Sequence, residues 1–179
     1  MELAEALGRW FGEVELSAAP QTHASVMAFL AELARMLEAL GPTRVDHASS
    51  SVHQQQNGSV RVVLAHDSDE DGGLAIEAGD HSATIWWLSA HEHVDSRDSY
   101  GERPWTSVAV DVVAAALRGE YEAEEHFRGA RWMKTRIIDV ADPDGPRVVS
   151  SLGVLWSWLP LPGSKRVQRR RLDFGVQVD

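Results

Sequence analysis

The chain has 179 residues, 44% of them apolar and 25% charged, the composition of a folded globular protein rather than a disordered one. It contains no cysteine, which excludes thiol catalysis, Cys-ligated zinc and a disulfide framework. The formal net charge of −10 argues against nucleic acid or an anionic membrane as partner, whereas a basic protein would be attracted.

That charge is unevenly spread: residues 1–125 hold seven basic and twenty-two acidic side chains, and residues 126–179 hold ten basic and five acidic ones. Fifteen of the seventeen basic residues are Arg, a codon bias expected of a GC-rich bacterial genome. No apolar run approaches the ~20 residues of a spanning helix. Met1-Glu2-Leu3-Ala4-Glu5 is acidic where a secretory signal would be basic, so a cytoplasmic location is expected.

In chain order, residues 2–11 read as a short N-terminal helix. A longer helix is expected over 22–40, where Val26, Phe29, Leu30, Leu33, Leu37 and Leu40 recur every three or four residues. Thr22 is placed to cap it and Gly41-Pro42 to stop it. The period then changes to two: strands over 44–55 and 59–66 flank Asn57-Gly58, a hairpin signal. Short and longer strands follow over 74–77 and 82–94. A second helix over 107–117 is apolar nearly all round and so predicted to be buried. Four more strands are expected over 120–127, 131–140, 147–158 and 167–178.

This order, a helix and four strands twice over, predicts an α+β fold. We expect a single domain over 1–179, with an antiparallel, curled, meandering sheet of about eight strands and two main helices. Segments 20–95 and 104–179 have the element order of a pseudo-repeat.

Two details of register are specific enough to check. In the 120–140 hairpin, a three-residue tip of Arg128, Gly129 and Ala130 pairs Phe127 with Arg131, setting Glu124 opposite Lys134 and Glu122 opposite Arg136. A two-residue tip would instead oppose Arg128 to Arg131, a like-charge pair. Ile85-Trp86-Trp87-Leu88 lies mid-strand, so its neighbouring indoles point to opposite faces, and the continuous apolar run predicts that both faces are covered. Trp156 and Trp158 share one face of the 147–158 strand.

Two groups could hold a divalent metal. Asp67-Ser68-Asp69-Glu70-Asp71-Gly72 matches the first half of an EF-hand loop, with Asp67, Asp69 and Asp71 as alternate carboxylates, but Ala78 stands where the closing Glu belongs. His91, His93 and Asp95 alternate in a strand and project to one face, a ligand set suited to iron, manganese or zinc. The spacing resembles the His-x-His of cupin-like barrels. Arg97 and Asp98 occupy the places where that family's motif continues with Glu, so the likeness ends at the two histidines.

Nucleophile and phosphate-loop motifs are absent from the sequence: no Gly-x-Ser-x-Gly elbow occurs, and no Gly-Lys-Ser/Thr follows Gly72-Gly73. In the last strand, alternation sets Arg169, Arg171 and Asp173 outward and Arg170 with Leu172, Phe174, Val176 and Val178, which reads as an amphipathic strand with a charged, solvated outer face. The expected function is therefore a non-enzymatic protein-binding module without a cofactor, such as an immunity protein, an antitoxin or an effector chaperone. Asp95, Asp98, Glu102 and Trp158 are its candidate contact residues. The alternatives are a metal-dependent enzyme or metal-binding protein using His91, His93 and Asp95 with a divalent metal, or a binder of a small apolar ligand lined by the Trp-rich strands.

Overall fold

The computed structural model describes residues 3–16, 23–68, 73–87, 90–97, 101–153, 163–171 and 173–176. The fold is α+β, with two sheets and three helices among the described residues. The helices are α1 (Leu3–Leu7), α2 (Ala24–Leu40) and α3 (Trp105–Leu117). The first sheet runs in chain order through β1 (Glu13–Glu15), β2 (Ser51–Gln54), β3 (Val60–Ala65), β4 (Gly73–Ala78), β5 (Ser82–Trp87) and β6 (Ala90–Asp95). All neighbours in it are antiparallel except β1 and β2, which are parallel. The second sheet comprises β7 (Tyr121–Arg128), β8 (Arg131–Asp139), β9 (Arg147–Gly153) and β10 (Lys165–Arg171) in the order β10-β7-β8-β9, antiparallel throughout.

The helices form as their sequences require. Val26, Phe29, Leu30, Leu33 and Leu37 make the buried stripe of α2. Gly41 ends the helix with φ 54°, a conformation open to glycine, and its N–H caps the Leu37 carbonyl at 2.9 Å. The expected cap Thr22 lies outside the described residues; His23 precedes the helix and makes no side-chain cap. In α3 the small side chains Ala109 and Ala116 allow close packing against α2 and the first sheet, and Trp105 stacks on Phe29 with centroids 6.2 Å apart. The helices cover one face of that sheet, where Val52, Val62, Leu64, Leu74, Ile76, Ile85 and Trp87 are buried.

The expectation of one curled sheet of about eight strands is corrected to two sheets, neither closed, since each has two edge strands. Three local departures explain the difference. The strand expected over 82–94 is two strands, β5 and β6, paired antiparallel with Trp87 opposite Ala90 and Ser82 opposite Asp95. Between β5 and β6 the one turn-favouring residue is Ser89, a weaker mark than the Gly, Pro, Asn or Asp that residues 82–90 lack, so turn chemistry barely signals the reversal. The strand expected over 167–178 ends at Arg171, and residues 173–176 lie instead against the segment between α2 and β2. There Phe174 is fully buried, its carbonyl accepts the Thr43 and Arg44 N–H groups, and its ring meets His66 edge-on. The sheet order also separates the halves: β10 returns beside β7, whereas β2 to β6 of the first sheet form a plain meander.

The tip of the β7–β8 hairpin is the third departure. Arg128 pairs with Arg131 across a two-residue tip, and Gly129 has φ 59°. A bulge between His126 and Phe127 then shifts the register so that Glu124 faces Arg136 and Glu122 faces Ile138, not the expected Lys134 and Arg136. The bulge keeps an acid–base pair in mid-strand while the tip retains its like-charge pair.

Candidate functional site

The uncovered face of the first sheet is built by an unbroken register. One row crosses all six strands as Glu13, Ser51, Val63, Ala75, Trp86 and His91, and the next as Glu15, His53, Arg61, Glu77, Thr84 and His93. Direct cross-strand partners share a face, so these side chains stand together on the side away from α2 and α3. None of them is buried.

Trp86 is 38% exposed on this face whereas Trp87 is 3% exposed beneath it, stacked on Tyr121 with centroids 5.7 Å apart. The expectation that both faces of the 85–88 segment are covered therefore fails for Trp86. The alternation holds, but a continuous apolar run does not tell whether the second face has a cover.

His91, His93 and Asp95 share the uncovered face, as the alternation predicts. His93 Nδ1 lies 3.0 Å from Thr84 Oγ1, and its Nε2 is 3.7 Å from Asp95 Oδ2. Asp95 also accepts the Arg97 N–H at 2.8 Å, the main reason its carboxyl is held below the usual range, followed by the positive charges of Arg97 and His93. Successive residues on one face of a strand are ~6.6 Å apart, which spreads His91 to Asp95 along the strand. Among the described residues, the one group that brings three ligand atoms within 4.8 Å of one another is Glu13, Glu15 and His53. His53 Nδ1 is 3.1 Å from Glu15 and its Nε2 is 3.5 Å from Glu13. This cluster rests on the parallel pairing of β1 with β2, a contact between segments almost forty residues apart that no local motif announces.

Glu92 points the other way, toward the second sheet, where Ser150 Oγ donates to the His91 carbonyl at 3.2 Å. Burial pushes its carboxyl above the usual range, opposed by the Ser150 hydroxyl and the neighbouring histidines. Burial likewise pushes the Tyr121 phenol up to about 12, with Asp139 and Glu92 adding to the shift.

The remaining predicted residues are dispersed. Asp67 is tied to Arg44 at 3.2 Å and to His66 at 3.2 Å, while Asp69 and Asp71 lie outside the described residues. Glu102 is exposed in the turn before α3; Asp98 and Trp158 lie outside the described residues, as does Trp156. Ser25, Asp80 and His23 also meet, in an order unsuited to activating a nucleophile: Ser25 Oγ donates to Asp80 Oδ1 at 2.9 Å, and His23 Nδ1 lies 3.6 Å from Oδ2 of the same carboxylate. A surface groove of about 540 Å³ runs between α1 and α2, lined by Leu3, Ala6 and Ala34 with Arg35 and Glu38 at its margin; the Trp-bearing strands do not line it.

No family model matches the chain, and neither a curated protein nor a solved structure matches it.

Proposed function

We propose that this chain is a non-enzymatic protein-binding module whose contact surface is the uncovered face of the six-stranded sheet. The observation that carries this reading is the half-open Trp86, set among the small side chains Val63 and Ala75. An exposed indole on a rigid strand offers large contact area at little conformational cost, the usual chemistry of an interface anchor. Glu13, Glu15, Glu77 and Asp95 face Arg61 as the lone guanidinium of the two rows, so the surface is acidic and complements a basic partner. Opposite charge at the rim would speed encounter and reject acidic competitors. Acidic immunity proteins, antitoxins and effector chaperones work in this way, and that class fits best.

Co-expression with the products of neighbouring genes, followed by affinity and association-rate measurements, tests this. In the complex, Trp86→Ala is expected to weaken binding roughly thirtyfold, the loss of about 2 kcal/mol typical of an interface anchor. Asp95→Lys is expected to slow association at low salt and to lose that effect at high salt. A complex indifferent to both substitutions would refute the assignment to this face.

A further inference from the structure

The second sheet carries a charge pattern that the uncovered face does not explain. At the end of that sheet Lys165, Arg128 and Arg131 stand directly opposite one another on β10, β7 and β8. Three cations thus sit side by side on one face, with strands ~4.8 Å apart. Lys134, paired with His126, follows on the same face. Among the described residues, no carboxylate forms an ion pair with any of these four.

The acids of this face are engaged elsewhere. Glu124 binds His126 at 2.8 Å and Arg169 at 3.0 Å, with Arg136 at 3.8 Å, and Glu122 lies 3.3 Å from Arg169. Four residues of strand, ~13 Å, separate Glu124 from the cationic row. That exceeds the ~8 Å screening length at physiological salt, so the acids do not neutralise it.

The row borders a cleft of about 240 Å³ whose lining includes Arg128, Lys134, Lys165, Phe127, Val167 and His126, the last held to Glu124 at 2.8 Å. Arg166 lies over the Phe127 ring at 4.5 Å, and by alternation this pair belongs to the face opposite Lys165 and Arg128. The cleft is held by a turn-to-turn contact: the Gly129 N–H donates to the Ser164 carbonyl at 3.0 Å, and a Cβ on Gly163 would come within 3.0 Å of the Gly129 nitrogen. Glycine at 163, with φ 114°, lets β10 begin against the hairpin tip and brings Lys165 beside Arg128.

We propose that this cleft binds a small, multiply charged anion of the phosphate or diphosphate class. Opposed like charges weaken the folded sheet, and a ligand with two or three negative charges in a compact volume removes that repulsion. The guanidinium forks match phosphate oxygens, and a single carboxylate would leave most of the positive charge uncompensated. The overall negative charge of the protein disfavours a long polyanion, which would extend beyond the cleft over acidic surface.

Calorimetric titration of the full chain with inorganic pyrophosphate tests the proposal. Saturable binding is expected, weakening as salt rises, with Arg128→Gln and, separately, Lys165→Gln each reducing affinity roughly tenfold. Arg97→Gln, in the turn after β6, should bind as the parent does. Arg128→Gln should also raise the melting temperature of the ligand-free protein and remove most of the further rise that pyrophosphate produces. Lys165 is exposed on an edge strand, so its variant remains informative should Arg128→Gln fold poorly. The proposal is overturned by the absence of saturable heat at millimolar pyrophosphate, or by unchanged affinity in both variants. Tighter binding of a single-stranded oligonucleotide or of anionic lipid vesicles than of pyrophosphate would equally overturn it, reassigning the surface to a polymer or a membrane.

Discussion

Adjacent indoles on opposite faces of β5 give a direct energetic test of the fold and of the uncovered surface. A tryptophan covers about 250 Å² when wholly enclosed. Trp87 is 3% exposed and Trp86 38%, so they differ by about 90 Å² of covered surface. At ~25 cal/mol per Å² this difference is about 2 kcal/mol, and differences of this kind are less sensitive to the denatured-state reference than absolute sums. Two further effects act on Trp87 alone. Its stacking on Tyr121 adds about 1 kcal/mol. Its indole N–H, buried without a hydrogen-bond partner among the described residues, subtracts about the same when the side chain is removed. Trp87→Ala also leaves a cavity, whereas the space left by Trp86→Ala fills with solvent. Trp87→Ala is thus expected to cost 2–3 kcal/mol more than Trp86→Ala, with a total of about 4 kcal/mol for the former. In urea unfolding followed by far-ultraviolet circular dichroism, the midpoints of the two variants should differ by roughly 1–2 M at ordinary m-values. Equal losses would refute the reasoning: the register would then be slipped by one residue, exchanging the indoles between faces, or the uncovered face would be covered in solution.

The titrations on the inner side yield two more outcomes. Glu92, raised by burial, keeps its proton to a higher pH in the folded chain than in the unfolded one, so its contribution to stability falls as pH rises from the usual carboxylate range through the folded value. Glu92→Gln should therefore raise the melting temperature at neutral pH and lose that advantage in acid, which a melting series across pH would reveal. Tyr121 is pushed up to about 12, and the chain has two tyrosines. In Tyr100→Phe, the ultraviolet phenolate signal should appear as a single step near pH 12, and stability should decline between about pH 10 and 12 as the unfolded chain ionises first. A step near pH 10 would mean that Tyr121 is solvated.

Much of the fold was legible wherever a local period or a turn residue carried the information. The stripe of α2, its stop at Gly41, the buried α3 and the alternation of β3, β4 and β5 all follow from spacing alone, because a side chain three or four residues along a helix, or two along a strand, shares its neighbour's environment. The His91, His93 and Asp95 face was legible for the same reason, and so was the surplus of positive charge after residue 125.

Pairing was not legible. The parallel contact of β1 with β2, the return of β10 to β7, the division of 82–95 into β5 and β6, and the docking of Phe174 on Thr43 and Arg44 join segments that carry no local mark of one another. Those pairings decide which surfaces exist. They leave Trp86 facing solvent while Trp87 is enclosed, bring Glu13 and Glu15 to His53, and align Lys165, Arg128 and Arg131 into one row. The physical reason is that periodicity distinguishes the two faces of a strand but carries no term for what lies beyond either face. Cover, neutralising charge and neighbouring strands come from distant parts of the chain and are set when the whole core minimises its exposed apolar surface.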